Sequence, residues 1–188
     1  MSIRLFVILT IALIALMQWP AIASALFWQR DAIVHGEIWR LITGNLTHTN
    51  WPHMIMNTLA LAIITFIFRA HLTAARLAGL IVSLSLFIGL CLFGSSMHNY
   101  VGLSGVLHGI FAWGACRDIL AKDKLGIVML VGIILKVAYE QVYGASALSA
   151  SLIQARVATE AHLAGLVGGI VIALTPVVWR TLRTRYAS

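Results

Sequence analysis

Charge is scarce in this sequence: only 10% of the residues are Asp, Glu, Lys or Arg, and just six are acidic. Soluble globular domains carry about a quarter charged residues and are roughly half apolar. A chain that is 61% hydrophobic therefore has more apolar surface than one small water-soluble core can hide. Proline is equally sparse, with three residues, and there is no Pro- or Gly-rich linker. The two cysteines, Cys91 and Cys116, sit in separate apolar runs without CxxC or CxxH spacing. That excludes a disulfide framework and a cysteine zinc site. There is no HExxH motif and no pair of spanning aspartates, which argues against a metalloprotease or an aspartyl protease. The net charge of +7 comes from basic residues scattered singly between apolar runs. They form no patch with interleaved aromatics, so nucleic acid is not an expected partner.

What the sequence does have is long apolar runs. Six stand out, at roughly Ile3–Trp19, Pro52–Phe68, Leu77–Phe93, Leu103–Leu120, Leu125–Val142 and Ala161–Trp179. A transmembrane helix needs about 20 apolar residues. Backbone groups in hydrocarbon must bond within their own segment, so each run is expected to be a helix. The chain reads as a single all-α membrane domain over residues 1–188 with the lipid bilayer as its solvent. If the segments alternate in direction, Arg4, Arg69, Arg76, Arg117, Lys122, Lys124, Arg180, Arg183 and Arg185 share one side. The other side holds only Arg30, Arg40 and Arg156, and Lys136 lies inside the fifth segment. The positive-inside rule then puts both termini in the cytoplasm. Ala21-Ile22-Ala23 before Ser24 also suits a signal-peptide cleavage site, but a retained first helix is the preferred expectation. The two longest connections, Ala21–Trp51 and Gly144–Glu160, fall on the outer side. Loops of that length are often functional lids.

Polar residues within apolar helices are expensive and point to function. Gly102-Leu103-Ser104-Gly105 opens the fourth helix, where unpaired N–H groups favour developing negative charge. A serine needs a base, and His162 lies at the same end of the sixth segment. Gly165 and Gly169 share its helical face, matching Gly105 and Gly109 beside Ser104; close packing of the two glycine faces would bring imidazole to hydroxyl. On the second helix, His53 and Asn57 are i, i+4 neighbours whose N–H groups suit an oxyanion. A packing or interhelical hydrogen-bonding role is the alternative for each feature taken alone. No carboxylate is expected beside the histidine, so the arrangement reads as a Ser–His dyad.

Glu37-Ile38-Trp39-Arg40, His53-x-x-x-Asn57, Gly102-Leu103-Ser104-Gly105 and Ala161-His162-x-x-Gly165 together resemble the rhomboid intramembrane serine proteases. The resemblance spans essentially the whole chain and implies a six-transmembrane-helix bundle. It makes Ser104 the nucleophile and His162 the base, with an oxyanion site from His53, Asn57 and the Ser104 N–H beside Gly102. It also implies transmembrane protein substrates cut near the outer face without cofactor. Many rhomboids carry a tyrosine four residues after the serine, whereas this chain has His108. Gly-Leu-Ser-Gly-Val-Leu-His-Gly and Lys136-x-x-x-Glu140 resemble the bacterial rhombosortase subgroup. That likeness implies an inner-membrane enzyme, open to the periplasm, acting on C-terminal Gly-Gly sorting tails. His108 is expected to orient His162 or line the substrate site, or else to be a packing residue. Lys136 and Glu140 are expected to form an internal ion pair or to recognise the substrate tail. Rival readings are a small transporter or channel and a non-proteolytic rhomboid-like client-binding protein.

Overall fold

The structure, a computed structural model, describes the backbone of residues 1–186 and side chains through residue 175. The side chains of Trp179, Arg180, Arg183 and Arg185, which entered the topology argument, lie outside the described residues. All six apolar segments are helical. Helix α1 (Ile3–Leu16) is followed by α2 (Pro20–Leu26), the two-residue strand β1 (Trp28–Gln29), α3 (Arg30–Val34) and α4 (Arg40–Thr43). Then come α5 (Trp51–Ile67), α6 (Ala74–Cys91), strand β2 (Asn99–Tyr100), α7 (Ser104–Leu120), α8 (Leu125–Tyr143), α9 (Ala147–Ile153) and α10 (Thr159–Tyr186). The cleavage-like Ala21-Ile22-Ala23 lies within α2.

Among the described residues, two helices are long and apolar enough to cross a membrane: α6 with its 3-10 extension to Gly94, and α8. The count rises to four if two bent pairs each form one span. These are α1 with α2, bent by 100°, and Arg40–Leu46 with α5, bent by 93°. The helices are apolar inside and out. Leu61, Leu77, Leu84, Ile88, Val106 and Ile110 are buried, while Leu59, Ile63, Val82, Leu86, Leu90, Val128, Leu135, Val167 and Val171 are exposed. A helix with apolar residues on its outer face as well as its inner one belongs in lipid. The chain is thus a multi-pass membrane protein.

Helix α7 packs against α5, α6, α8 and α10. Its closest neighbour is α10, because glycines meet there. A methyl added at Gly105 would stand 2.8 Å from the Ala161 carbonyl oxygen, and one at Gly109 would stand 2.8 Å from that of Gly165. Only small residues permit backbones to come so near.

The first long connection is folded rather than open. Strands β1 and β2 pair antiparallel, Trp28 with Tyr100 and Gln29 with Asn99. The Arg30 guanidinium donates to the carbonyls of Leu92, Phe93, Ser95 and Met97, at 2.7–3.2 Å. Buried Arg40 bonds Glu37 at 2.6 Å and the carbonyls of Ser24 and Phe27. Two of the three basic residues expected on the outer side, Arg30 and Arg40, are therefore fixed as internal clamps. The Glu37-Ile38-Trp39-Arg40 motif acts structurally here, with Trp39 also bonding the Ala25 carbonyl.

Candidate active site

The segment before Ser104 is held from several sides. The buried Tyr100 hydroxyl donates to the Gly102 carbonyl at 2.6 Å, and the Gly102 N–H donates to Gly44. Gly102 has φ +123°, a conformation that side chains resist. A Cβ there would lie 2.9 Å from His53 Nε2. The bare backbone thus lets the His53 ring lie against the turn that presents the serine.

Ser104 is the first residue of α7, so its N–H has no partner within the helix. Its hydroxyl donates to His162 Nε2 at 2.9 Å. The opposite ring nitrogen, Nδ1, lies 2.8 Å from Glu140 Oε2. A carboxylate can only accept, so Nδ1 carries the ring proton and Nε2 offers its lone pair to the serine. Both His162 and Glu140 are buried, at 4% and 8% exposure. This corrects the expectation of a histidine without a carboxylate: α8 turns Glu140 toward α10, 22 residues away in sequence.

Lys136 donates to Glu140 Oε2 at 2.8 Å, so the expected ion pair is present. The same ammonium donates to His108 Nε2 at 2.6 Å, and His108 Nδ1 donates to the Ser104 carbonyl at 2.7 Å. The His108 ring stacks on that of His162, with centroids 4.1 Å apart and planes 15° from parallel.

His53 and Asn57 come from the first turns of α5. Asn50 caps that helix by accepting from the His53 N–H at 2.8 Å. Among the described residues, the buried Asn57 Nδ2 has no hydrogen-bond partner, an arrangement that favours a ligand oxygen as acceptor. His53 Nδ1 accepts from the Thr49 N–H at 3.5 Å, which leaves the ring proton on Nε2, and it lies 3.1 Å from the Thr49 hydroxyl, which donates to the Ile153 carbonyl at 2.7 Å. Asn50 also donates to the Leu152 carbonyl. These two bonds dock α9 over the site, a contact the sequence reading did not foresee. Behind His53 lies His48, with ring centroids 4.8 Å apart. Burial, helped by His53, lowers the His48 pKa to about 3, so this loop imidazole stays neutral at physiological pH.

The groups open into one cavity of about 620 Å³, lined by Ser104, His162, His53, Asn57, His108, Lys136 and Glu140. The second long connection closes one side through Gly144–Ser146, Ser149, Ile153 and Ala155–Ala158. All eight residues singled out by sequence come together around this cavity, Gly102 bordering it through His53. Tyr100, Thr49 and Asn45 were missed. Asn45 accepts from Tyr100 and ties it to the Ser85 carbonyl. Polar residues flanking apolar runs were the available signal for them.

An apolar molecule thus carries a hydroxyl, imidazole and carboxylate in line, with an unpaired amide nearby. That is the constellation of acyl transfer to serine. No curated protein matches the sequence. The Rhomboid domain family matches residues 35–178, about three quarters of the chain and all of the cavity wall. The chain belongs to the rhomboid family, the family of intramembrane serine proteases.

Proposed function

We propose that this protein is an intramembrane serine endopeptidase in which Ser104 is the nucleophile and His162 the general base. The observation that carries the reading is the 2.9 Å hydrogen bond from Ser104 Oγ to His162 Nε2 at the floor of a cavity within apolar helices. In the first step Ser104 Oγ attacks the scissile carbonyl as His162 Nε2 takes the hydroxyl proton. The Asn57 amide, His53 Nε2 and the Ser104 N–H hold the oxyanion. As the C–N bond breaks, His162 returns the proton to the leaving amine. Water, activated by the same imidazole, then hydrolyses the acyl-enzyme.

All six long helices cross the bilayer in this reading, with both termini in the cytoplasm and the cavity opening to the periplasmic side of a bacterial inner membrane. The short connections at the end away from the cavity, with the adjoining turns of α6 and α7, contain Arg69, Arg76, Arg117, Lys122 and Lys124, which supports that orientation. Helix α7 has 17 residues, a rise of about 26 Å against about 30 Å of hydrocarbon. Ser104 accordingly lies slightly below the surface, where a substrate helix can unwind into the cavity. Substrates are transmembrane proteins with a C-terminal Gly-Gly sorting tail. Gly102–Gly109 and Lys136-x-x-x-Glu140 carry that narrower reading.

The test is cleavage in liposomes of two reporters, one with a Gly-Gly tail and one a generic transmembrane segment. Wild type is expected to cut the first faster, and Ser104→Ala to cut neither. Cleavage of the generic reporter alone would remove the sorting-tail assignment. Cleavage surviving Ser104→Ala would remove the nucleophile.

A further inference from the structure

Glu140 and Lys136 take no chemical step in the mechanism above, yet both stand at its centre. The Glu140 carboxylate oxygen that accepts from His162 Nδ1 also accepts from Lys136, each bond 2.8 Å. Lys136 reaches on to His108, whose other ring nitrogen holds the Ser104 carbonyl. The bonds close a ring: Ser104 Oγ, His162, Glu140, Lys136, His108 and back to Ser104 through its main-chain oxygen. It ties α7, α8 and α10 together at the reacting atoms. His108, Glu140 and His162 offer ligand atoms within 4.8 Å of one another, a spacing that suits a cation. The Lys136 ammonium is already bonded to two of the three.

We infer that Glu140 is the positioning residue for His162, making a Ser104–His162–Glu140 triad, and that Lys136 locks its carboxylate in place. The inference rests on the protease reading and deepens it. The physical reasons are tautomer and charge. An Nδ1–H held by a carboxylate leaves Nε2 free to accept the serine proton, and the same carboxylate stabilises the imidazolium formed on transfer. Lys136 donates to the same carboxylate oxygen that accepts from His162 and supplies its counter-charge. Apart from Glu140, the buried residues of α8 are Gly126 and Val137, so Val137 is the one other buried side chain and side-chain packing alone gives Glu140 little support. The stacked, neutral His108 confines the His162 ring plane. On this view the Lys136–Glu140 pair serves the chemistry of every substrate, whichever tail it carries.

The experiment measures the rate at which a small fluorophosphonate labels Ser104 in detergent-solubilised full-length protein, per folded molecule. It also measures kcat and KM for a membrane reporter. A fluorophosphonate has no peptide tail, so its reaction reports activation of the serine alone. Glu140→Gln keeps an acceptor for Nδ1–H and removes the charge. Labelling and kcat are expected to fall about a hundredfold or more, with KM nearly unchanged, and Lys136→Met is expected to fall less, about tenfold. Should Glu140→Gln prove unstable, the double variant Lys136→Met/Glu140→Met replaces the pair by apolar groups, a change often neutral for folding. Its labelling is expected to be as slow. Wild-type labelling by either Glu140 variant, with cleavage lost through a raised KM, would overturn the triad in favour of tail recognition. Failure of wild type itself to label would instead bring down the protease reading beneath it.

Discussion

Replacing Gly105 by alanine perturbs the site through the helix crossing while leaving every polar group in place. The added methyl would lie 2.8 Å from the Ala161 carbonyl oxygen, whereas ordinary contact begins at 3.4 Å. Residues 105 and 161 immediately adjoin Ser104 and His162, so relieving the clash drives the two reacting side chains apart. Opening α7 from α10 by about 0.6 Å would stretch the 2.9 Å hydrogen bond to about 3.5 Å, the edge of any useful interaction. A misplacement near 1 Å costs about a hundredfold in rate, so kcat for a liposomal reporter is expected to fall roughly ten- to a hundredfold. Gly109→Ala is the control. It meets the Gly165 carbonyl at the same 2.8 Å one turn deeper, where tilting can absorb the strain with less movement at the serine. Its kcat should fall less, although both variants should lose similar thermal stability, about 1–3 kcal/mol from overpacking. A folded Gly105→Ala enzyme with wild-type kcat, or the reverse ranking of the two, would refute the reasoning.

Asn57→Ala removes the unpartnered amide, and kcat is expected to fall about 10²–10³-fold with KM little changed; steady-state kinetics on the liposomal reporter checks it. Thr49→Val cuts the bond to the Ile153 carbonyl and the contact with His53. Faster hydrogen exchange in α9 and a loss of about tenfold in kcat/KM, near 1.4 kcal/mol, are expected. Ser149→Cys puts a thiol on the cavity side of α9. An impermeant maleimide should label it in intact spheroplasts, and labelling only after the membrane is opened would reverse the proposed topology.

The apolar helices were legible because bilayer composition marks the chain directly: six runs of apolar residues became helices, the first five with ends within three residues of those expected and the sixth running on from Trp179 to Tyr186. Ser104, His162, His53 and Asn57 were legible because each stands near the end of such a run, where a polar group has no packing reason to be. The glycine spacing on the fourth and sixth segments likewise announced the close α7–α10 contact. Glu140 was not legible in its role. Its i, i+4 lysine already accounts for the charge locally, and its approach to His162 depends on how α8 is rotated against α10. No local pattern encodes that rotation. The β1–β2 pairing is two residues long, too short for an alternating pattern to mark. Helices α2, α3 and α4 are similarly brief, and they emerge only where Arg30 and Arg40 gather carbonyls from distant segments.

The most direct test of the central claim is to label the wild-type protein in membranes with a fluorophosphonate and map the adduct by mass spectrometry, beside His162→Ala. A single adduct on Ser104, absent from folded His162→Ala, is the predicted result. An adduct on another serine, or one on Ser104 that forms as fast without His162, would contradict the assignment of nucleophile and base.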